Sequence, residues 1–195
     1  MAVKPTTICK SGGDPDVETV IRLVRHRAEN RYLIGRSRCA EAVLSVINRG
    51  LRGDLSMDLA VRLASGLPEG VSGSGCICGA LSAGMLAIGL FLGDATRAGV
   101  RRHGRVQPAA KALHDRFRSR FGSTCCRVLT RKVGYGTRAH FRHCAGLTGE
   151  AAEMTAGIIL AQRSELVEAA DLGYLSRTDS FLGTGLKTVA DMIRG

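Results

Sequence analysis

The sequence predicts an all-α protein, a single compact helical bundle around a buried central helix rich in glycine and alanine. Three observations favour this class. Apolar residues recur at helical spacing, helix-starting residues precede those segments while glycines follow them, and no strand hairpin is recognisable. Aromatic residues make up only 4% of the 195 residues and Trp is absent, so the core must be built from aliphatic side chains, which favour closely packed helices.

The first two predicted helices are both framed by recognisable start and stop signals. An acid–proline–acid sequence at residues 14–16 is a favourable start, with Asp14 as the cap and the proline at the first helical position. This helix is expected to end at Gly35, and the second to run from Ser37 to Gly50. Their apolar residues fall on one helical face, so both helices are expected to pack against a core.

A third, short helix is predicted after Ser56, whose side chain is a favourable cap. Its leucines recur at helical spacing, and we expect Leu59, Leu63 and Leu67 to form the buried side. Residues 68–75 are rich in proline, glycine and serine, so this helix should be followed by a loop.

The longest uncharged stretch lies between Glu69 and Asp94 and contains GCICGALSAGMLAIGLFLG, residues 75–93. Its length raises the question of a membrane span. However, residues 70–75 are typical of a loop, which leaves about 17 apolar positions, and no second hydrophobic segment is available to pair with it. Its glycines and alanines make a narrow helix that neighbours can approach closely. We therefore expect a buried core helix and no membrane association.

A basic connector at residues 94–107 follows the central helix. The next helix is predicted from Pro108 to Gly122, because proline favours a helix start and glycine a helix end. A short helix should come next, capped by Ser123 or Thr124.

The C-terminal part starts with a glycine-interrupted loop at residues 134–143. Cys144 is expected to open one long helix, or two in succession, with an apolar face. The residues expected to face inward are Ala151, Ala152, Ile158, Ile159 and Leu166.

We divide the chain into an N-terminal tail (1–15), a helical cysteine-rich domain (16–172) and a C-terminal linker with a short helix (173–195). The N-terminal residues lack the charged and apolar regions of a secretion signal, so a cytoplasmic, reducing location is expected. In such a compartment, cysteines more often serve metal binding or catalysis than structural disulfides.

The cysteines are the strongest functional signal. Six of the seven fall in predicted first turns, in four separate helices: Cys39, Cys76, Cys78, Cys125, Cys126 and Cys144. The free N–H groups and the dipole at a helix start favour thiolate over thiol and should lower the pKa of each thiol. We therefore predict that these cysteines form one functional site. Cys9 stands apart in the tail and is given no role.

Three chemistries could use four converging thiolates. An iron–sulfur cluster needs about four cysteine ligands. Zinc would accept four thiolates, or a mixture that includes His140 or His143. A metal-free dithiol relay would need close pairs, and the pairs available are Cys76/Cys78 and Cys125/Cys126. No C-x-x-C spacing occurs, so spacing does not choose among the three, and the absence of C-x-x-C-H excludes covalent c-type haem.

The order of the cysteines, with their neighbouring residues, resembles a family of redox-active proteins named for the pattern C_GCAxxG_C_C. The resemblance covers about residues 36–165. The stretches that carry it are CAEAVL (39–44), LAVRLASGL (59–67), GCICGALSAGMLAIGLFLG (75–93), CRVLT (126–130) and HCAGL (143–147). One departure is Ala83, where family members often carry glycine, and Gly84 follows it.

The resemblance implies redox chemistry or electron transfer, with four signature cysteines as ligands: Cys39, Cys78, Cys126 and Cys144. Similarity of the family to the cluster-bearing part of split-Soret cytochromes implies an iron–sulfur cluster. Cys76, Cys125 and His143 are additional candidate ligands, and the choice between Cys76 and Cys78 stays open.

The net charge of +11 is concentrated in residues 95–143, which hold 13 Lys or Arg residues and one acid, Asp115. Such a segment suits an acidic redox partner, an anionic cofactor or a nucleic acid.

From the cysteines and the resemblance, our first hypothesis is an iron–sulfur electron-transfer protein, and the alternative is a metal-free thiol/disulfide oxidoreductase. The third is a nucleic-acid-binding module, in which interleaved aromatic residues would stack on bases: Phe117, Phe121, Tyr135 and Phe141.

Overall fold

A computed structural model describes residues 15–94, 96 and 104–180 of the chain. Within these residues the protein is helical and contains no strand, which confirms the predicted all-α class. The helices are α1 (Val17–Leu33), α2 (Cys39–Gly50), α3 (Met57–Ala64), α4 (Pro68–Val71), α5 (Gly79–Leu92), α6 (Val106–Phe121), α7 (Cys126–Thr130), α8 (Arg138–Leu160), α9 (Leu166–Ala169) and α10 (Leu172–Leu175). Cys9 and most of the basic connector lie outside the described residues.

The glycine- and alanine-rich helix α5 lies at the centre of the bundle and packs against α2, α6 and α8, while α1 packs along α8. Small residues allow these close approaches. A Cβ added at Gly84 would lie 2.4 Å from Thr155 Oγ1 and 2.9 Å from Leu113 Cδ2, so α5 touches α8 and α6 at this point. The described part of the chain contains no helix long and apolar enough to cross a membrane.

Helix α3 buries a different face from the one predicted. Leu59 and Leu63 are 40% and 53% exposed, whereas Ala60 and Ala64 are fully buried. The helix has only two turns and packs against α2, and alanines allow its backbone to approach that helix more closely than leucines would. The predicted cap is confirmed, because Ser56 Oγ accepts a hydrogen bond from the Leu59 N–H at 3.1 Å.

The starts of α1 and α2 differ from the predicted ones by one or two residues. Asp14 lies outside the described residues, and Asp16 is the cap of α1, accepting a hydrogen bond from the Thr19 N–H at 2.8 Å. Helix α2 is preceded by Arg38 rather than Ser37: the Glu41 carboxylate accepts a hydrogen bond from the Arg38 N–H at 2.8 Å, and the Ser37 hydroxyl accepts one from Arg31.

Helices α6 and α8 begin earlier than predicted, whereas α7 begins at Cys126, preceded by Cys125 rather than by the predicted cap Ser123 or Thr124. Helix α6 starts at Val106 and ends, as expected, before Gly122, which has φ of +76°. Helix α8 starts at Arg138, six residues before Cys144, because the Thr137 side chain caps it by accepting a hydrogen bond from the His140 N–H. The residues predicted to face inward are all buried: Ala151, Ala152, Ile158, Ile159 and Leu166.

Candidate functional site

A cavity of about 440 Å³ lies where α2, α5 and α7 begin, against the N-terminal half of α8. Four thiols line it, and each comes from a different helix: Cys39, Cys78, Cys126 and Cys144. Cys39 and Cys126 are the first residues of α2 and α7, and Cys78 directly precedes α5. Residues separated by more than 100 positions in the chain thus face a single cavity.

Helix α5 begins with a glycine because the α2 thiol lies beside it. A Cβ added at Gly79 would lie 3.1 Å from Cys39 Sγ and 2.6 Å from the Leu67 carbonyl oxygen. The missing side chain therefore allows Cys39 to lie next to the start of the helix that Cys78 precedes.

Backbone pairing brings the cysteines before α5 and α7 to the same wall of the cavity. The Cys78 N–H donates to the Thr124 carbonyl at 2.8 Å, and the Cys126 N–H donates to the Cys76 carbonyl. Ile77 and Cys125 face each other in this short antiparallel contact. Two chain segments that are almost 50 residues apart are joined in this way, and each carries a cavity thiol.

A left-handed turn covers the cavity at the predicted loop. Glu69, Gly70, Val71 and Ser72 have φ values of +59°, +69°, +66° and +50°. Side chains other than glycine rarely adopt this conformation, which costs about 1–2 kcal/mol per residue. A Cβ added at Gly70 would lie 2.7 Å from both Cys126 Cβ and the Cys76 nitrogen, so only glycine fits there. The turn also places the Glu69 N–H near the Cys39 sulfur, where it favours the thiolate of Cys39 and lowers its pKa, although burial raises that pKa more.

The fourth thiol, Cys144, lies in the second turn of α8 and not at a helix start as predicted. It shares a helical face with His140, one turn earlier, and both line the cavity. Tyr32 of α1 lines the same cavity, and its hydroxyl lowers the pKa of Cys144 by less than burial raises it. His140 Nδ1 accepts a hydrogen bond from the Gly136 N–H at 3.3 Å, so a neutral His140 carries its proton on Nε2.

The prediction that helix starts lower the pKa of these thiols is wrong for the metal-free chain. Burial raises the pKa of Cys78 and of Cys144 to about 12 in each case, and the neighbouring Cys39 sulfur adds to both increases. Burial likewise raises the pKa of Cys39 and Cys126. Backbone N–H groups favour the thiolates of Cys39 and Cys78, but desolvation is the larger effect. Near pH 7 the four thiols are therefore neutral unless a cation compensates their charge.

Polar side chains line the mouth of the cavity. Arg38 forms an ion pair with Glu69, and the Tyr135 hydroxyl donates to the other Glu69 oxygen at 2.7 Å. The carboxylate disfavours nearby thiolates and contributes to the raised pKa of Cys126. The sequence offered no signal for Tyr32 or Glu69 and indicated Tyr135 only as a base-stacking residue, because only tertiary packing brings their segments to the cavity.

A family model described as "putative redox-active protein (C_GCAxxG_C_C)" matches residues 37–158. The chain belongs to this family. The match includes all four cavity cysteines and confirms the resemblance found in the sequence. No curated protein and no solved structure matches the chain significantly.

Of the other candidate ligands of this C_GCAxxG_C_C protein, His140 lies in the cavity lining, and Cys76, Cys125 and His143 lie outside it. Cys76 is exposed, two residues before the cavity residue Cys78. The Cys125 thiol donates to the Gly75 carbonyl at 3.2 Å. His143 is exposed, and its Nε2 lies 2.9 Å from the Leu129 carbonyl. The structure therefore brings together the four cysteines of the family pattern and leaves these three aside.

The four thiols share the lining of one cavity. Across residues 15–94, 96 and 104–180, no three His, Cys, Asp or Glu side chains are arranged to hold one metal ion. A four-thiolate zinc site would need every sulfur about 2.3 Å from the same ion. In an iron–sulfur cluster each thiolate can bind a different iron, so four cysteines that line one cavity are a ligand set of the right type for such a group.

Proposed function

We infer that this family member is an electron-transfer or redox protein whose cavity cysteines, Cys39, Cys78, Cys126 and Cys144, hold an iron–sulfur cluster. The observation that carries the proposal is the presence of four thiols from four helices on one cavity of about 440 Å³. Four cysteine thiolates are the usual ligand set of such clusters. When bound, the cluster would supply reversible one-electron chemistry.

Hydrogen bonds to the sulfurs support this assignment. Backbone N–H groups of Glu69 and Ala40 are directed at the Cys39 sulfur, and those of Ala80 and Leu81 at Cys78. Such donors disperse negative charge on the ligands and help to set the reduction potential of a cluster. The left-handed turn thus has a chemical role in addition to covering the cavity.

A metal-free dithiol relay is less well supported. Such a relay needs two adjacent thiols, one of them accessible and readily ionised. In the sequence pair Cys76/Cys78 one thiol is exposed and the other is buried, and Cys125, which does not line the cavity, donates to the Gly75 carbonyl. Burial of the four cavity thiols also disfavours free thiolates.

The nucleic-acid hypothesis loses two of its four aromatic residues. Phe117 is fully buried, and Phe121 packs against it with ring centroids 4.7 Å apart. Neither ring can stack on a base, so we do not favour this function.

We further propose that the protein operates in the cytoplasm and exchanges electrons with an acidic redox partner. The six cysteines among the described residues are all free thiols, which is the state that a reducing compartment maintains. The excess of Arg and Lys in residues 95–143 supports an acidic partner.

The test is an anaerobic measurement of iron and acid-labile sulfide per chain, with absorbance spectra, in two matched variants. Cys78→Ser removes a cavity thiol, whereas Cys76→Ser removes an exposed thiol two residues away. We expect iron, sulfide and sulfide-to-iron charge-transfer absorbance in the parent and in Cys76→Ser, and their loss in Cys78→Ser. Cys9→Ser should also keep them.

Equal iron retention in Cys76→Ser and Cys78→Ser would contradict the assignment. A colourless protein whose thiol count changes by two on oxidation would instead support the dithiol alternative. Stoichiometric zinc without sulfide would show that the cavity closes around a single ion.

A further inference from the structure

We propose that the α7–α8 side of the cavity mouth is a docking surface for an acidic electron-carrier protein. We call this surface the basic rim and define it by five exposed cations: Arg127, Arg131, Lys132, Arg138 and Arg142. The proposal rests on the proposed function, since it names where the redox partner of the cavity binds.

The charge of the basic rim is not compensated within the described chain. The sequence contains no acidic residue between Asp115 and Glu150. Cations just outside the rim are paired, since Lys111 forms an ion pair with Asp115 and Arg120 with Glu150 at 2.9 Å. None of the five rim cations forms an ion pair with an acidic side chain among the residues described. An acidic surface would therefore meet accessible positive charge here.

Exposed apolar side chains lie between these cations. Tyr135 is 74% exposed, and Val128 and Phe141 are also largely exposed. Interfaces between proteins are enriched in Tyr, Phe and Arg, with apolar groups at the centre and charges at the edge. The rim has both components, so it offers a partner buried contact area as well as charge.

The rim belongs to the elements that carry two cavity thiols. Arg127 follows Cys126 directly, and Arg142 lies two residues before Cys144. The His143 ring contacts the Leu129 carbonyl at 2.9 Å, which joins the start of α8 to α7 and makes the rim one surface. A carrier that docks there contacts the helices that hold the redox site, which shortens the path for an electron.

The same residues favour a protein over a nucleic acid. The Tyr135 hydroxyl is held by Glu69, and Phe141 lies 6.4 Å from Tyr32 and 5.7 Å from His140 between ring centroids. These contacts hold both rings in place while leaving them exposed, which suits a preformed surface for a folded protein.

The experiment measures binding of an acidic probe, a plant-type [2Fe–2S] ferredoxin, to the cluster-loaded protein by isothermal titration calorimetry. The rim variant is Arg131→Glu with Arg138→Glu. The control is Arg116→Glu with Arg118→Glu, an equal charge change on exposed positions of α6, which contributes no residue to the cavity. We expect the rim variant to bind about tenfold more weakly and the control to stay within about twofold of the parent. Binding of the parent should weaken as salt is raised.

Absence of ferredoxin binding at low salt, or equal losses in the rim and control variants, would overturn the proposal. Rim-dependent binding of a single-stranded oligonucleotide in place of ferredoxin would overturn it as well. Iron and sulfide are measured in each protein before the ferredoxin, which carries iron and sulfide of its own, is added. Rim-dependent ferredoxin binding by a protein that contains no iron would support the docking surface and disprove the cluster. Iron in the protein without ferredoxin binding would support the cluster and disprove the docking surface.

Discussion

The two ends of α2 lie in contrasting surroundings. At its C-terminal end, Leu175 of α10 packs so closely that a Cβ added at Gly50 would lie 2.5 Å from Leu175 Cδ2. Arg49 and Arg52 fasten this closed end through Asp171, at 3.2 Å and 3.5 Å. At the N-terminal end, Cys39 faces the cavity beneath the left-handed turn. At both ends a glycine allows a neighbouring side chain to approach closely. Leu175 packs against Gly50 at the closed end, and Cys39 Sγ lies beside Gly79 at the cavity end.

The difference teaches that the cavity end is maintained at a cost in stability. The closed end buries apolar side chains, which stabilise the fold directly. The cavity end keeps the non-glycine residues Glu69, Val71 and Ser72 in left-handed conformations, which are unfavourable on their own. Substitutions at the two ends should therefore have unequal effects on stability and on the redox site.

The largest expected effect comes from truncating a buried leucine at the closed end. Leu175→Ala should lower the free energy of unfolding by about 4 kcal/mol, because Leu175 is packed on all sides. Leu147→Ala should cost only about 2 kcal/mol, because Leu147 already borders the cavity and has fewer neighbouring atoms to lose. Urea unfolding of the metal-free proteins measures both values. Equal losses would show that the two ends are packed alike.

The next largest effect is expected in the stability of the protein at alkaline pH, which should depend on the cavity end and not on the closed end. The pKa of Cys78 is raised by burial from 9.0 to about 12 in the folded chain. The contribution of the buried Cys78 thiol to the free energy of unfolding is therefore fully present below pH 9. This free energy should fall in the metal-free protein as pH rises from 9 through about 12. Unfolding measured across this range should be less pH-dependent in Cys78→Ser than in the parent.

The exposed Cys76 provides the control for this titration, because Cys76→Ser should keep the pH dependence of the parent. A Cys78→Ser protein whose alkaline profile matches that of the parent would contradict the buried environment assigned to Cys78.

A smaller effect on stability, with a large effect on the site, is expected at the left-handed turn. Gly70→Ala should cost about 1–3 kcal/mol and reduce bound iron, because the new methyl group collides with Cys126 and the Cys76 backbone. Gly73→Ala is the matched control, since Gly73 also has positive φ but borders open space. Gly73→Ala should lose stability, because alanine is strained at positive φ, and it should retain iron. Thermal unfolding and iron content separate the two effects, and equal iron loss would refute the argument.

The smallest effect is expected at the exposed polar mouth. Tyr135→Phe removes the hydrogen bond to Glu69 and should cost only about 0.5–1 kcal/mol, because the group it removes is in contact with water. Iron content should stay unchanged, since no thiol depends directly on this contact. A loss of iron in Tyr135→Phe would show that the mouth holds the thiols in place.

Local signals in the sequence predicted much of the fold. Ser56 and Gly122 frame α3 and α6 as expected, because capping depends on neighbouring residues alone. The leucine face of α3 was mispredicted, because periodicity shows that a face is apolar but not whether the core lies against it. Cys144 was assigned to a helix start because Thr137, an equally good cap, was overlooked.

By itself, the sequence determined the helical class, the uncharged central helix and the membership of the C_GCAxxG_C_C family, since periodicity, composition and motif order are properties of the linear chain. It left open whether Cys76 or Cys78 joins Cys39, Cys126 and Cys144. Only the tertiary structure decided that these thiols line one cavity, that Glu69 covers it and that burial raises the pKa of the cysteines. Those properties depend on which distant segments exclude water from one another. Desolvation arises from packing, and no local pattern of residues contains it.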